Sequence, residues 1–582
     1  MTSLLLDERF RGYNSAALKK DLLAGITVGI VAIPLAMAFS IASGVNPEYG
    51  IYTTIISGFL VALLGGSRFQ IAGPTGAFIP VLLAVVLQYG YEKLLIAGLL
   101  AGLLLMIMGL LKLGNLIKYI PRSVTIGFTS GIAVIIFTGQ IASFLGLEGV
   151  EKKEAFHENM NEIFRQLNTV NMYSILIAIL GFILLIFIPK LFPRVPVLLV
   201  ALIIPTIVAV FFFPNKVATI GSAFGEIPQK LPSFSFPELS LETIKEVWRP
   251  ALVIAILGGI ESLLSAVVAD GMTGKRHNSN RELFGQGVAN FVTPLFGGIP
   301  ATGAIARTAT NIKSGAVSPL SSIFHSVFVL GTLLIFAPYA SYIPLASMAP
   351  ILMLVAWNMS QHRAFVHILK LRSADSIVLI VTFLLTVFVN LTVAVEIGLL
   401  LAMISFIKRM SGMLEIDKVL PDSHGKQVSP DPIITGHDCP QLSIYTIEGP
   451  LFFGAADTFE RVLTRSIRKR PKVLLLRMRY VSLIDATGEG NLSSLVNDFQ
   501  KMNGIILISG IREQPLEMLK ISGLYEKIGA EHIFEHTGEA INYGLSLLNY
   551  DHCKGCRFAA FRECDSFKQR EVSEHAQMAR VR

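Results

Sequence analysis

Leu64-Gly65-Gly66, then Gly73-Pro74-Thr75-Gly76-Ala77, is echoed later in the chain by Phe296-Gly297-Gly298, then Pro300-Ala301-Thr302-Gly303-Ala304. The two Thr-Gly-Ala cores stand 227 positions apart, at 75 and 302. The texts ahead of them keep the same spacing. Ser40-Ile41-Ala42-Ser43-Gly44 and Val267-Val268-Ala269-Asp270-Gly271 put their glycines at 44 and 271. Two matches at one offset indicate a duplicated module. Each text interrupts an apolar stretch with Gly and Pro, as a helix does when it stops and restarts inside a membrane.

The surrounding composition agrees. Of 582 residues 52% are hydrophobic and only 15% charged, with a mean hydropathy of +0.61, whereas soluble domains carry about 25% charged residues. The deficit ends near Met410, the main domain boundary. The runs 94–111, 174–191, 195–213 and 376–406 have the length of membrane spans, the last long enough for two. The first apolar run is no removable signal peptide, since many further spans follow it. The net charge of +8 reads as topology rather than as nucleic-acid binding. Arg9, Arg11, Lys19 and Lys20 place the N-terminus inside. Lys112, Lys118 and Arg122, Lys190 and Arg194, Lys275, Arg276 and Arg281, Arg363, Lys370 and Arg372, and finally Lys408 and Arg409 repeat that mark. The mixed-sign segments 148–168 and 214–247 suit the outside, so both termini face the cytosol. Counted in this way, the first module opens at span one and the second at span eight. Seven spans apart means opposite orientation, an inverted repeat whose halves meet at a midplane site. The expected organisation is a cytosolic segment 1–20, a transmembrane domain 21–410, a linker 411–432, a further domain 433–550 and a tail 551–582.

A half-helix starting in mid-membrane leaves N–H groups unsatisfied and the positive end of its dipole exposed, which attracts an anion. Helices starting at Thr75 and Thr302 would aim such ends at each other. Arg307, about one and a half turns into the second, adds a full positive charge. Glu261 lies in the apolar text Ile254–Ser265 (IAILGGIESLLS). A carboxyl there is costly unless paired, solvated or protonated, and is functional by default. Ser265, one turn later, offers a second oxygen. A carboxylate with hydroxyl and carbonyl oxygens suits Na⁺; a carboxyl alone, desolvated, suits H⁺. The same acid could pair with Arg307 in one state. His325 and Asn390 read as helix–helix contacts, and Asp270 as an interfacial residue beside Lys275 and Arg276. With no Ser-His-Asp set, zinc-type His cluster or P-loop in the sequence, neither an enzyme nor an ATP-driven pump is indicated, and no cofactor is implied.

Beyond 433, apolar strand-length runs at 442–447, 473–477, 505–509 and 533–534 alternate with amphipathic stretches at 455–466, 488–502 and 514–522. That order implies a single α/β domain with helices covering the sheet. The chain's four cysteines lie in this cytosolic part and are expected to be reduced. Cys553-Lys554-Gly555-Cys556, with Cys564 and His552, is a weak candidate for metal, with compressed spacing and no clear fourth ligand.

On these residues the chain resembles the SulP family of anion transporters from about Lys19 to Tyr550. Gly25-Ile26-Thr27-Val28-Gly29 with Ile33-Pro34, Gly73-Pro74-Thr75, and Ala304-Ile305-Ala306-Arg307-Thr308 are similar to that family's characteristic texts. Ile484-Asp485-Ala486-Thr487-Gly488 resembles the signature loop of a STAS domain. The resemblance implies a polytopic α-helical membrane domain of fourteen spans in a seven-plus-seven inverted repeat, with core and gate subdomains, plus a cytosolic α/β STAS domain. It implies an anion site on spans one, three, eight and ten. Phe39 would line the pocket, Thr75 and Gly76 would start the third span, and Gly303, Ala304, Ile305 and Ala306 would offer backbone groups beside Arg307. Glu261 and Ser265 match the coupling-ion positions, Asp485 and Thr487 the STAS loop, and a homodimer in the cytoplasmic membrane is implied.

Three departures stand out. Leu35 replaces a Gln or Glu common on span one. Residue 261 is Glu where a sodium-coupled bicarbonate carrier of the family has Asp, which favours H⁺. Ala486 replaces the phosphorylatable Ser of soluble antagonists. The segments 258–274, 285–306 and 354–360 look most like a bacterial branch that includes C4-dicarboxylate carriers. The expected function is H⁺-coupled sulfate uptake. A bicarbonate or C4-dicarboxylate symporter using H⁺ or Na⁺, an uncoupled channel or exchanger, and a membrane-anchored sensor are the alternatives.

Overall fold

The computed structural model describes residues 9, 13–117, 120–192, 195–421, 428–429, 439–467, 471–553, 556, 560–561 and 564. Arg11, Lys118 and Arg194 of the basic clusters, the rest of the linker and the tail beyond 564 lie outside the described residues. The chain divides into two compact units, Met1–Ala402 and Met403–Arg582.

The first unit is helical. In order it holds α1 (Ser15–Ala42), α2 (Pro47–Leu64), strand β1 (Ala72–Gly73), α3 (Ile79–Tyr89), α4 (Tyr91–Leu110), α5 (Arg122–Gly139), α6 (Met172–Leu191) and α7 (Val197–Phe212). The second series is α8 (Leu241–Thr273), α9 (Ser279–Val292), strand β2 (Thr302–Gly303), α10 (Ile305–Lys313), α11 (Leu320–Ala340), α12 (Leu345–Met359), α13 (Ala374–Phe388) and α14 (Leu391–Ser411). Among the described residues, eight helices are long and apolar enough to cross a membrane, and three shorter apolar ones accompany them. Local chemistry sets the starts. Asn14 caps α1 through Ala17 N–H at 2.9 Å, Ser240 caps α8, Asn278 caps α9, and Pro47 occupies the first turn of α2.

Helices of one series pack on those of the other: α4 on α8 and α9, α11 on α1 and α2, α5 on α12 and α13, and α6 on α12. Glycine permits the α4–α9 approach. A Cβ on Gly102 would stand 2.3 Å from Phe291 N, and one on Gly287 would stand 2.5 Å from Met106 N.

Two pairs of structural landmarks stand three residues further apart than the 227 of the similar texts. Gly44 (φ +81°) and Gly274 (φ +70°), both left-handed, follow the ends of α1 and α8, and β1 and β2 begin at 72 and 302. Both spacings are 230 (44 to 274, 72 to 302). Gly271 therefore lies within α8. Thr75 immediately precedes a 3-10 turn, whereas Thr302 sits in a strand.

The second unit contains a six-stranded sheet in the order β4-β3-β5-β6-β7-β8. Its strands are β3 (Glu415–Pro421), β4 (Val428–Ser429), β5 (Leu442–Glu448), β6 (Val473–Tyr480), β7 (Ile505–Ser509) and β8 (Ile533–Phe534). β5 to β8 are parallel; β3 runs antiparallel to β5. The helices are α15 (Ala456–Ile467), α16 (Ala486–Lys501), α17 (Glu513–Ile521) and α18 (Thr537–Ser546). Leu474, Leu476 and Met478 of β6 enter one apolar cluster, while Val473 and Leu475 enter another. Burial on both faces explains the unbroken apolar run of this strand. The stretch expected to be a linker supplies β3 and β4. Its Glu415-Ile416-Asp417-Lys418 text is too polar to read as a strand, because an antiparallel strand beside a parallel sheet needs only one buried face.

Candidate functional site

β1 and β2 lie antiparallel, Ala72 opposite Gly303 and Gly73 opposite Thr302. The two chain interruptions therefore meet. Each strand leads into a helix. Thr75 precedes a 3-10 turn, Gly76–Phe78, that runs into α3, and Ala304 stands at the N-cap of α10. First-turn amides have no partner within their own helix and carry the positive end of the dipole. The second helix starts at Ile305 rather than at Thr302, so Arg307 is in its first turn and not one and a half turns in.

Buried polar side chains hold both entrances. Ser262 Oγ lies 2.8 Å from Thr302 Oγ1 and accepts from Gly303 N–H at 3.0 Å. Gln70 Nε2 donates to Ser262 O at 3.0 Å. Thr308 Oγ1 accepts from Ile71 N–H at 3.0 Å. Asn290 exchanges bonds with Ala301, N–H to Oδ1 and Nδ2 to O, at 2.8 Å each. Thr53 Oγ1 accepts from Ile299 N–H at 2.7 Å and lies 3.0 Å from its carbonyl. Glu282, fully buried, accepts from Gly66 and Ser67 N–H at 2.8 and 3.0 Å. Sequence reasoning passed over this framework. Glu282, Gln286 and Asn290 are spaced four apart on α9, and that polar stripe in an apolar region is the signal that could have revealed part of it.

Glu261, on α8, is buried at 9% exposure and accepts a hydrogen bond from Thr75 Oγ1 at 3.0 Å. Ser265, one turn further along α8, donates its hydroxyl to Thr308 Oγ1 at 3.2 Å. α8 thus touches the entrance of each half-helix, through Glu261 at one and Ser265 at the other.

Arg307 is buried, and its Nη2 donates to the Pro74 carbonyl. Its Nη1 has no partner and presses on Gly73, where a Cβ would stand 2.5 Å away. No Arg307–Glu261 ion pair occurs among the described residues. The guanidinium of the second half-helix is committed to the strand ahead of the first.

Of the backbone amides expected at 303–306, two are already used. Gly303 donates to Ser262 and Ala304 to the Ile71 carbonyl at 2.8 Å. Ile305 and Ala306, both exposed, lie in the unpaired first turn. Phe39 is buried near the end of α1 in the cluster that holds Phe78 and Ile79. Gly76 faces Met359 Sδ and Ile136 Cδ1, at 2.8 and 3.5 Å from a built Cβ. A cavity of about 990 Å³ is lined by Ile79, Pro80 and Ile136 and by Lys152, Lys216 and Arg249, with Glu148 and Glu396 also on its wall.

Three weaker candidates resolve differently. Asp270, near the end of α8, accepts from the His277 ring at 2.7 Å. Asn390 is a helix cap, accepting from Val393 N–H at 2.8 Å. His325 is fully buried, and neither ring nitrogen has a partner. In the second unit Asp485 caps α16, accepting from Gly488 N–H at 2.8 Å and Phe453 N–H at 3.0 Å. Thr487 is exposed in the first turn of the same helix.

Residues 18–382 match the sulfate permease family. The chain is 54% identical over 531 residues, 91% of its length and 98% of the relative's, to the Bacillus subtilis (strain 168) protein named "Putative sulfate transporter YvdB". The chain belongs to the sulfate permease family. Residues 433–540 match the STAS domain, so this family member joins a membrane-transporter domain to a STAS domain. It is 32% identical, over 76% of its length and 80% of the relative's, to the bicarbonate transporter BicA of Picosynechococcus. The murine Slc26a9 anion transporter superposes with a TM-score of 0.82 at 20% identity, covering 94% of this chain and 93% of that one. At that identity the likeness is one of fold.

Proposed function

We propose that this member of the family takes up small anions by proton-coupled secondary transport, with sulfate as the substrate. The reading rests on one observation above the rest. The Thr75 hydroxyl, at the entrance of α3, is hydrogen-bonded to the Glu261 carboxyl. An ionised carboxylate accepts that bond; a protonated one can donate instead. A proton arriving at Glu261 would also remove a negative charge beside the two helix N-termini, and so favour an anion there. Proton and anion would bind together because each lowers the electrostatic cost of the other.

In this reading the anion sits between the first turns of α3 and α10, against Thr75 and Gly76 on one side and Ile305 and Ala306 on the other. Arg307 sets the local potential and ties the two halves. Phe39 limits the space. Ser265 serves α10 through Thr308 and positions Glu261's helix. The cavity lined by Ile79 and Ile136 is the route to the site, with Lys152, Lys216 and Arg249 on its wall.

The architecture proposed is fourteen spans, α1–α7 and α8–α14, as an inverted repeat in the cytoplasmic membrane. The groups α1–α4 with α8–α11 and α5–α7 with α12–α14 act as core and gate, both termini are cytosolic, and the protein forms a homodimer. Sulfate is preferred to bicarbonate because the relative named for sulfate transport is 54% identical and the one named for bicarbonate 32%. Proteoliposome uptake of radiolabelled sulfate, bicarbonate, fumarate and succinate under an inward proton gradient tests the choice. Sulfate should accumulate and be competed only weakly by the others. Accumulation of bicarbonate or a dicarboxylate without sulfate would overturn it.

A further inference from the structure

A nine-residue helix, His362–Lys370, joins α12 to α13. Its sequence, HRAFVHILK, has two faces. Arg363, His367 and Lys370 follow one another at spacings of four and three and share one face. Ala364, Phe365, Ile368 and Leu369 share the other. The apolar face is half-buried. The helix packs on α5 and α13, with the Phe365 ring edge-on to Phe383 at 5.4 Å. The basic face is exposed, and so is Arg372 just beyond the helix. The side chains of Arg363, His367, Lys370 and Arg372 have no ion-pair partner among the described residues.

The helix is fixed at both ends. Gln361 (φ +43°) and Arg372 (φ +47°) take the chain through the left-handed region, which residues other than glycine adopt rarely. Ser376 Oγ donates to Ile368 O at 2.7 Å in the last turn. Ser130 Oγ of α5 donates to Ser360 O at 2.6 Å ahead of the first.

The depth of the helix follows from its neighbours. On α13, Ile377, Ile380, Leu384 and Phe388 are exposed at spacings of three and four, the apolar stripe that a span turns to lipid. The stripe begins in the first turn of α13. Trp357, in the last turn of α12, is exposed, and its ring lies 5.0 Å from that of His362. Tryptophan favours the boundary between hydrocarbon and headgroups. The basic face thus stands where the lipid-facing stripe ends.

We propose that the basic face of His362–Lys370, with Arg372, is a binding site for the phosphate headgroups of anionic phospholipids. In the topology proposed above, the leaflet is the cytoplasmic one. Basic side chains on an interfacial helix are drawn to an anionic surface. Arginine takes phosphate oxygens in pairs, and a helix already fixed at both ends loses little freedom on binding. Val366 and Leu371, exposed beside the basic side chains, suit the upper acyl chains of the same lipid. A lipid held here bears on both α12 and α13, in the group proposed as the gate.

The chain has two tryptophans, at 248 and 357, so Trp248→Phe leaves Trp357 as a reporter beside the site. The full-length Trp248→Phe protein is reconstituted in vesicles of phosphatidylcholine and phosphatidylglycerol, with bromine near the top of the acyl chains of one lipid or the other. Brominated phosphatidylglycerol should quench Trp357 more, corresponding to roughly tenfold enrichment of the anionic lipid at the helix. The enrichment should fall at high salt. Adding Arg363→Gln, Lys370→Gln and Arg372→Gln should make the two lipids quench equally. If that variant fails to fold, the comparison of the two lipids at low and high salt still decides. Equal quenching in Trp248→Phe, a preference that survives the three substitutions, or a Trp357 shielded from both lipids by another protein surface would each overturn the proposal. Quenching reads lipid contact alone, so its outcome is separate from the choice of transported anion.

Discussion

The Thr75 hydroxyl donates to the Glu261 carboxylate across 3.0 Å, linking residues 186 positions apart. It is the point at which an intramembrane acid touches the entrance of a half-helix. Thr75→Val keeps the shape and removes the donor. A hydrogen bond to a charged group contributes about 1.5–3 kcal/mol, and about 1.4 kcal/mol is tenfold. Only the ionised acid loses by the change, so sulfate uptake should persist to a pH about one unit or more higher than in the wild type, with little change at acid pH, where Glu261 is protonated in both. Radiotracer uptake across a pH series checks this.

Gly73→Ala introduces a Cβ 2.5 Å from Arg307 Nη1. The guanidinium would have to leave the Pro74 carbonyl, and a buried unpaired charge costs several kcal/mol. Uptake should fall at least as far as in Arg307→Ala. A double variant no worse than either single one, measured as initial rates, would establish that the two substitutions act through one contact.

Gly287→Val tests the close crossing of α4 and α9. The added side chain would meet Met106 N and the Gly102 carbonyl. Overpacking costs about 1–3 kcal/mol, so thermal unfolding in detergent should shift down by several degrees, with little change in the KM of protein that remains folded.

Much of this arrangement is legible in the sequence, and the reasons differ by residue. Glu261 stands out because a carboxyl in an apolar helix has few innocent explanations. The Gly-Pro-Thr and Thr-Gly-Ala texts mark where helices break. Their alignment is three residues off because short similar texts need not hold the same backbone position. The text at 75 follows its strand and the text at 302 lies in its strand. Ser262, Thr302 and Thr308 are ordinary residues for a membrane domain, and their role depends on partners 40 or more positions away. The free amides at Ile305 and Ala306, rather than at Gly303 and Ala304, follow from where α10 starts, which no motif states. In the STAS domain the buried strands β5–β7 carry mainly apolar runs and are easy to place, while β3 is masked by its exposed, charged face.

Asp485 caps α16 and also accepts from Phe453 N–H. Asp485→Ala should cost about 1 kcal/mol. In hydrogen–deuterium exchange of the full chain, the amides at the start of α16 should then exchange roughly fivefold faster, while those of β6 stay unchanged.

In the proposed mechanism Glu261 carries the proton that accompanies the anion. Proteoliposomes loaded with a pH-sensitive dye, without an imposed gradient, give the most direct test. Adding external sulfate to the wild type should acidify the lumen in step with sulfate entry. Glu261→Gln, which mimics the protonated acid in shape, should bind and exchange sulfate without moving protons. Lumenal acidification that persists at the wild-type rate in Glu261→Gln, or wild-type sulfate entry with no pH change, would contradict the account.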